Sequence, residues 1–520
     1  MRAEPALVRS FELLAAAHGG VGRLRDFVLS LALRGKLVAE EGSEESAAAS
    51  LIAARAENER QMAGGQRKRE HQSQPVAVDE QPFALPHGWV WCRVTDTGEY
   101  INGLAFKPTD WGTAGRPIIR IQNLSGRSRE FNRTSKEVDP SVVVRTGDIL
   151  VSWSATLDAF IWQGEEGVLN QHIFRVTPSS LVDKGYLFWL LKGVIKELAA
   201  SDHAHGLVMR HINRGPFLAH VVAIPPLPEQ RRIVSRVEKL MKLCDALEQS
   251  GRLADAQHAR LTATLFDALA ASESAHALAE NWGRIAEHFD LLLDLPEAID
   301  ALEQTIRQLA VDGLLVSGDE RRGKFEEMTL GAVVSFLNGY AFKSEWFRSD
   351  GVRLVRNVNI AHGELTWGNV ARVDDAVALD LRRFALRADD LVISLDRPII
   401  STGLKYAVVR ECDLSCLLLQ RVAKMVPREG VLASAYLELW LRSPAFIGAI
   451  DPGRSNGVPH ISTRQLEAIS FSLPPFSEQN RVVAYAEKLL RHCAQLRERL
   501  RDARQAQSRL ADALVAEVAT

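Results

Sequence analysis

The chain has little of several things. Five cysteines occur in 520 residues, an odd number that suits reduced thiols rather than a disulfide scaffold. No run of 18 apolar residues occurs, so no membrane-spanning helix is expected. The first residues, MRAEPALVRSFELL, lack an apolar stretch followed by a small-residue cleavage site. Export is therefore not expected, and the cytoplasm is the expected compartment. Net charge is nearly absent, at -2 from 63 Lys+Arg and 65 Asp+Glu. That excludes a uniformly basic nucleic-acid coat and an acidic disordered tail, but not a local basic face. At roughly 100–200 residues per domain the length allows two to four domains.

Motifs for catalysis are also lacking. Gly318 to Lys324 has phosphate-loop spacing, but Phe325 stands where Ser or Thr must reach a metal ion, and Asp319 and Glu320 would repel phosphate. Leu473-Pro474-Pro475-Phe476 is similar to the signature of amino-methyltransferases, yet leucine cannot accept the amine's hydrogen bond. Cys412 and Cys416 have no second pair at zinc spacing, so they read as a packed strand-loop position and no metal site is expected. No nucleophile elbow or dinucleotide fingerprint appears, and no catalytic residue is assigned.

What is present is a long internal repeat. Asn102-Gly-Leu-Ala-Phe-Lys107 is echoed by Asn338-Gly-Tyr-Ala-Phe-Lys343. Ile118-Ile119-Arg120 with Asn123 is echoed by Leu354-Val355-Arg356 with Asn359, and Gly147 to Ser152 by Asp389 to Ser394. Gln171-His172 matches Gln420-Arg421, and His211-Ile212 matches His460-Ile461. Each copy closes on a run of prolines and Glu-Gln: Pro225-Pro226-Leu-Pro-Glu229-Gln230-Arg-Arg-Ile-Val, then Pro474-Pro475-Phe-Ser-Glu478-Gln479-Asn-Arg-Val-Val. Before each copy, Leu31 to Val38 resembles Leu309 to Val316, with Gly35 and Gly313 where a helix C-cap would sit.

Residues 229–270 and 478–514 have helical periodicity. Ile233, Val237, Leu240, Cys244, Leu247, Ala254, Leu261 and Leu265 follow a 4-3-4-3 spacing in the first. Val482, Ala486, Leu489, Cys493, Leu496, Leu500 and Leu510 do so in the second. This is a heptad seam. It fits an ordinary amphipathic helix on its own domain, or two matched helices pairing as an antiparallel coiled coil about a pseudo-twofold axis. A helix of about 42 residues would be roughly 63 Å long, enough for a spacer.

The expected fold class is α+β, with two similar mixed domains separated by long helices. The expected divisions are 1–84 (helical segment and linker), 85–226 (first mixed domain), 227–322 (helical spacer), 323–476 (second mixed domain) and 477–520 (closing helix). Strands are expected at Pro117–Gln122, Asp148–Trp153, Ile173–Thr177, Val352–Val358, Asp390–Leu395 and Arg421–Val426, and helices at Lys184–Ala199 and Ala433–Leu441. Arg67-Lys68-Arg69 reads as a solvated linker.

Charge is unevenly spread. Arg116, Arg120, Arg127, Arg129, Arg133 and Lys136 stand around Gln122, Asn123 and Asn132, residue types that suit phosphate contacts and base-edge hydrogen bonds. The matching stretch has Arg353, Arg356, Asn357 and Asn359, while His203, His205, Arg210 and His211 cluster before the first long helix. On residue type alone, a solvated basic surface and a DNA face fit equally well. Duplication favours DNA, because two readers on a spacer can address two half-sites. The candidate contacts are Lys107, Arg116, Arg120, Gln122, Asn123, Arg127, Arg129, Arg133, His172, Arg210 and His211 in the first domain. In the second they are Lys343, Arg353, Arg356, Asn359, Arg421 and His460.

The Pro-Pro-Leu-Pro-Glu-Gln-Arg-Arg-Ile-Val start of a long helix, used twice between diverged domains, resembles the specificity subunit of type I DNA restriction–modification systems. So do residues 31–38, 148–156 with Asn170-Gln-His172, and Gly403-Leu-Lys-Tyr406 with Gln420-Arg-Val422. The resemblance covers nearly the whole chain except 41–82. It implies two target-recognition domains, each reading one half of a split DNA target, and no catalysis by the chain itself. The helices, through Ile233, Val237, Leu240, Leu247, Val482, Leu489, Leu496 and Leu500, are implied to pair or to dock other subunits. Those partners are double-stranded DNA, two methyltransferase subunits, and restriction or translocase subunits. S-adenosylmethionine, ATP and magnesium are expected on the partners. One departure is that Ser477 and Asn480 stand where the first copy has Pro228 and Arg231. Two other readings stay open: a diverged methyltransferase or nuclease acting alone, and a coiled-coil scaffold without a DNA role.

Overall fold

Elements repeat in the computed structural model as the motifs do. It describes residues 19–39, 46–63, 74–200, 204–205, 211–315, 325–400, 403–450, 453–455 and 458–519. The phosphate-loop spacing at 318–324, the triplet 67–69, His203 and Arg210 lie outside the described residues, as does the side chain of His205.

The two long helices run Leu227–Ala270 and Phe476–Ala519, 44 residues each, or about 66 Å at 1.5 Å per residue. Proline ends the preceding strand in each case, and the N–H it lacks is one that the first turn of a helix does not use. Each start is then locked by a buried glutamine. Gln230 accepts from the Asp183 amide at 2.6 Å and donates to the Leu181 and Pro225 carbonyls at 3.0 and 2.8 Å. Gln479 accepts from the Ala433 amide at 2.7 Å and donates to the Val431 and Pro474 carbonyls at 2.8 and 3.0 Å. One side chain thus ties a strand end, a helix start and the loop before a second helix.

The chain forms two compact units, residues 1–251 with 506–520 and residues 252–505. The first long helix starts in the first unit, and the second ends there. The units therefore cut across the expected divisions 227–322 and 477–520. The stretch 227–322 also holds more than one helix, since Ala275–Ala286 and Pro296–Val311 follow the first long one.

In the first unit, an antiparallel sheet orders Gly98–Asn102, Ile173–Pro178, Ile149–Ser152 and Asp158–Ile161. Alternation sends Ile149 and Val151 into the core beneath the helix Lys184–Ala200, and Leu150 into a smaller core with Ile119, Val144 and Leu169. The smaller core is closed by a second sheet containing Arg116–Ile119 parallel to Gly167–Leu169. Val90–Arg93 pairs antiparallel with Val221–Ile224, so the domain's two ends meet.

The second unit repeats this plan. Its main sheet orders Val334–Asn338, Val422–Pro427, Leu391–Ser394, Tyr406–Val408 and His362–Gly363. Leu391 and Ile393 enter the large core, and Val392 enters a smaller one with Val355 and Leu418. Glu326–Thr329 pairs with Ser470–Leu473.

Gly35 and Gly313 end their helices at φ +70° and +76°, the left-handed conformation glycine adopts without a Cβ clash. The following amides, Lys36 and Leu314, reach back to the Leu31 and Leu309 carbonyls at 2.9 Å, a Schellman closure in both copies. The helices they end are pinned by ion pairs of opposite polarity. Arg25 meets Asp245 and Glu248 of the first long helix at 2.6 and 2.8 Å. Asp300 and Glu303 meet Arg497 of the second at 2.6 and 2.8 Å. Arg23 of the first short helix also meets Asp512 of the second long helix at 2.8 Å.

The expected seam is not followed along its length. Ile233, Val237 and Cys244 are buried, Leu240 is half-buried, but Leu247 is 39 % exposed and Leu261 is exposed. Farther on, burial falls on Thr262, Phe266 and Leu269, one position beyond the 4-3-4-3 set. In the second helix Val482, Ala486 and Cys493 are buried, and Leu489, Leu496 and Leu500 are half-buried. Four cysteines are buried and Cys412 is exposed. Strands also stop short of expectation. Arg116–Ile119 and Val352–Val355 end where short helical turns begin at Ile121 and Asn357.

Gln230→Ala should leave the Asp183 amide and two carbonyls without partners, at a cost of about 1–3 kcal/mol. Hydrogen exchange should show faster exchange at Asp183 with Ala433 unchanged, and Gln479→Ala should show the reverse.

Candidate nucleic-acid interface

Three loops meet at one end of the main sheet in each domain. After strand Ile149–Ser152 the chain turns through Ala155, at φ +58°, and after Leu391–Ser394 through Arg397, at φ +46°. The buried hydroxyls of Ser152 and Ser394 donate to the carbonyls of Ser154 and Asp396 at 3.1 and 2.8 Å. The second loop holds His172 and Arg421, both left-handed at φ +69° and +71°. Their carbonyls accept from the Trp153 and Leu395 amides at 3.3 and 2.9 Å. The third loop joins by the bridges Ser154 to His211 and Asp396 to His460. The Ile212 and Ile461 amides, each 2.9 Å from the Trp153 and Leu395 carbonyls, complete the match.

Gly103 and Gly339 lie beside these loops. A Cβ there would come 2.0 Å from the Asn170 carbonyl and 2.1 Å from that of Leu419, so the repeated Asn-Gly is explained by close backbone approach.

The side chains on this shared backbone differ. In the first domain the Trp153 ring meets His172 edge to face, with centroids 4.7 Å apart. In the second, Asp396 accepts from His460 Nδ1 at 2.9 Å and lies 3.6 Å from Arg421 Nη1. Lys405 donates to the Asn357 carbonyl. Burial holds its ammonium below the usual lysine range, and Arg397 adds to the effect. Trp153, Asp396, Arg397 and Lys405 were not singled out in the sequence. Trp153 and Lys405 stand inside the stretches 148–156 and 403–406 that carried the resemblance, and Asp396 had no comparable signal.

The expected candidates separate into groups. Lys107, Gln122, Arg127 and Arg129 are exposed. Arg116 faces Glu166 at 3.3 Å. Arg133 bonds the Gly115 carbonyl at 2.9 Å and Glu165 at 2.5 Å. Arg120 stacks over Trp111 at 5.0 Å. Lys343 lies 3.7 Å from Glu345 and over Trp346. Arg353 donates to the Cys412 and Leu414 carbonyls, both at 3.0 Å, above Trp367. Arg356 spends its Nη2 on Asn369, at 2.7 Å from the carbonyl and 2.9 Å from the side chain.

Asn123 and Asn359 need correction as base readers. Asn123 accepts from the Arg120 amide at 3.1 Å and donates to the Glu130 carbonyl at 2.8 Å. Asn359, 1 % exposed, accepts from the Arg356 amide at 3.2 Å. It donates to the Thr366 and Asn369 carbonyls at 2.9 and 2.8 Å. Asn123 also donates to the Ser128 carbonyl at 3.3 Å, so both amides hold a turn and neither NH2 group has a donor left for a base. Asn359→Ala should therefore act on stability, by about 1–3 kcal/mol from unsatisfied buried groups. A clear fall in unfolding temperature is expected, while an unchanged melting curve with altered DNA preference would return Asn359 to the interface.

Among the described residues, no group of three His, Cys, Asp or Glu could hold a metal ion, and no helix is long and apolar enough to cross a membrane.

Comparison with known proteins accords with this geometry. Residues 86–257 match the type I restriction modification DNA specificity domain. The chain is 36 % identical to the type I restriction enzyme EcoAI specificity subunit of Escherichia coli, over 95 % of this chain and 93 % of that protein. It is 23 % identical to the MjaVIII specificity subunit of Methanocaldococcus jannaschii, over 78 % of this chain and 86 % of that one. A structure solved in work on complex assembly and conformational transition of the type I R-M system shares the fold at a TM-score of 0.50. It is 18 % identical and covers 84 % of this chain and 99 % of its own. With a curated relative this similar along nearly its whole length, and with two mixed domains each followed by a glutamine-locked helix, the chain belongs to the specificity subunits of type I restriction enzymes.

Proposed function

We propose that this subunit reads a two-part DNA target, one half with residues 85–226 and the other with 323–476, and has no catalytic centre of its own. The observation that carries the reading is a three-loop backbone, repeated bond for bond, that bears different side chains in the two domains. A scaffold kept constant while its exposed groups differ is what two readers of unlike half-sites require. Exposed Arg127, Arg129 and Lys107 suit phosphate contacts, which position the protein without reading sequence.

The methyl transfer and the ATP-dependent cleavage belong to partner subunits, with S-adenosylmethionine, ATP and magnesium held there. Two methyltransferase subunits and restriction or translocase subunits are the proposed partners, acting on DNA in the cytoplasm. Leu243 and Leu247, 55 % and 39 % exposed on the first long helix, support docking there. The long helices would then set the gap between half-sites.

Replacing residues 85–226 with the corresponding domain of another specificity subunit should change one half of the methylated motif. Sequencing of methylated adenines in cells carrying the complex would show it, and a change in both halves would refute the modular reading. Arg127→Ala with Arg129→Ala should weaken binding to every duplex alike. The slope of log affinity against log salt should fall by up to about 2, with the melting temperature unchanged.

A further inference from the structure

We infer that Arg421 is the guanine-reading residue of the second domain, and that its position, occupied by His172 in the first, is where the two readers diverge. This rests on the DNA reading proposed above. The first argument is conformational. Positions 172 and 421 are left-handed, at φ +69° and +71°, where glycine would relieve the backbone. Both copies instead carry a long polar side chain. A strained position kept with a large side chain in two diverged copies points to a use for that side chain.

The second argument is the guanidinium's partners. Nη1 lies 3.6 Å from Asp396 Oδ1 and 3.5 Å from the His460 ring nitrogens. Nε and Nη2, the edge that forms a planar two-donor fork, bond nothing among the described residues, and the side chain is 52 % exposed. One edge is held and the other is open. Other arginines of this domain differ. Arg356 uses both Nε and Nη2 on Asn359 and Asn369, and Arg353 uses Nη2 on two carbonyls.

The third argument is chemical. A held guanidinium presenting two parallel N–H groups matches O6 and N7 of guanine in the major groove, the commonest specific arginine contact. His172 has no such fork, and its ring is committed to Trp153. The two half-sites therefore differ at the base pair this position meets.

The test uses the full chain assembled with its methyltransferase subunits and a randomised DNA duplex library, with bound sequences read after selection. The wild-type complex should enrich a split motif with guanine at the position concerned. Arg421→Gly should lose that preference by roughly ten- to a hundredfold at one base pair, leave the other half within about twofold, and melt no lower than wild type. Arg421→Met keeps the length and an unbranched side chain but has no donor. It should lose the guanine preference at that one base pair while the other half stays within about twofold, and it decides the matter if the glycine variant does not fold. Unaltered guanine preference in the methionine variant, or equal relaxation of both halves, overturns the inference. No enriched motif from the wild-type complex would instead sink the DNA reading itself.

Discussion

A buried glutamine amide ties each long helix to the domain it leaves. Gln230 and Gln479 each satisfy one amide and two carbonyls inside their own unit, where water cannot substitute. The two prolines before each one stop the strand, and the glutamine fixes where the helix begins. The direction of about 66 Å of helix is therefore set at one short junction. Small errors there would be multiplied along the helix, which gives a reason for a fully bonded polar group in place of apolar packing. The ion pairs of Arg25 and Arg497, with reversed polarity, pin the short helix of each unit against a long one.

Recognition is built on the opposite arrangement. The three loops of each domain are joined through main-chain bonds, and two pairs of side chains that recur in both copies, Ser152 with Ser394 and Asn123 with Asn359, serve those loops and turns. Because the loops do not depend on what the exposed side chains are, those can change without loss of the fold. Asp158 and Lys405 show the latitude. They stand at matching places beside the central strand and carry opposite charge, the first paired with Lys192 and the second bonded to the Asn357 carbonyl.

The sequence made some of this legible and misled on some. Helix limits came within a few residues because prolines, glycines and a 3.6-residue period act locally. Asparagine was misread for a physical reason. An amide that reads adenine and an amide that holds a turn have the same donors and acceptors, and only the neighbouring carbonyls tell them apart. Periodicity placed Leu247 and Leu261 on an apolar face but could not show whether anything in this chain covers them, and both are exposed. Arg421 was visible as a cation in a matched pair, but its left-handed backbone and its open guanidinium edge were not.

By itself, the sequence determined the duplication, the two long helices, their proline starts, the glycine stops and the family. These follow from local sterics and from repeated motifs. Tertiary structure decided which polar side chains are spent inside the protein and which remain outside, and where one compact unit gives way to the next. Those outcomes depend on contacts between residues far apart in the chain, such as Asp396 with Arg421 and His460, whose distances no spacing rule contains.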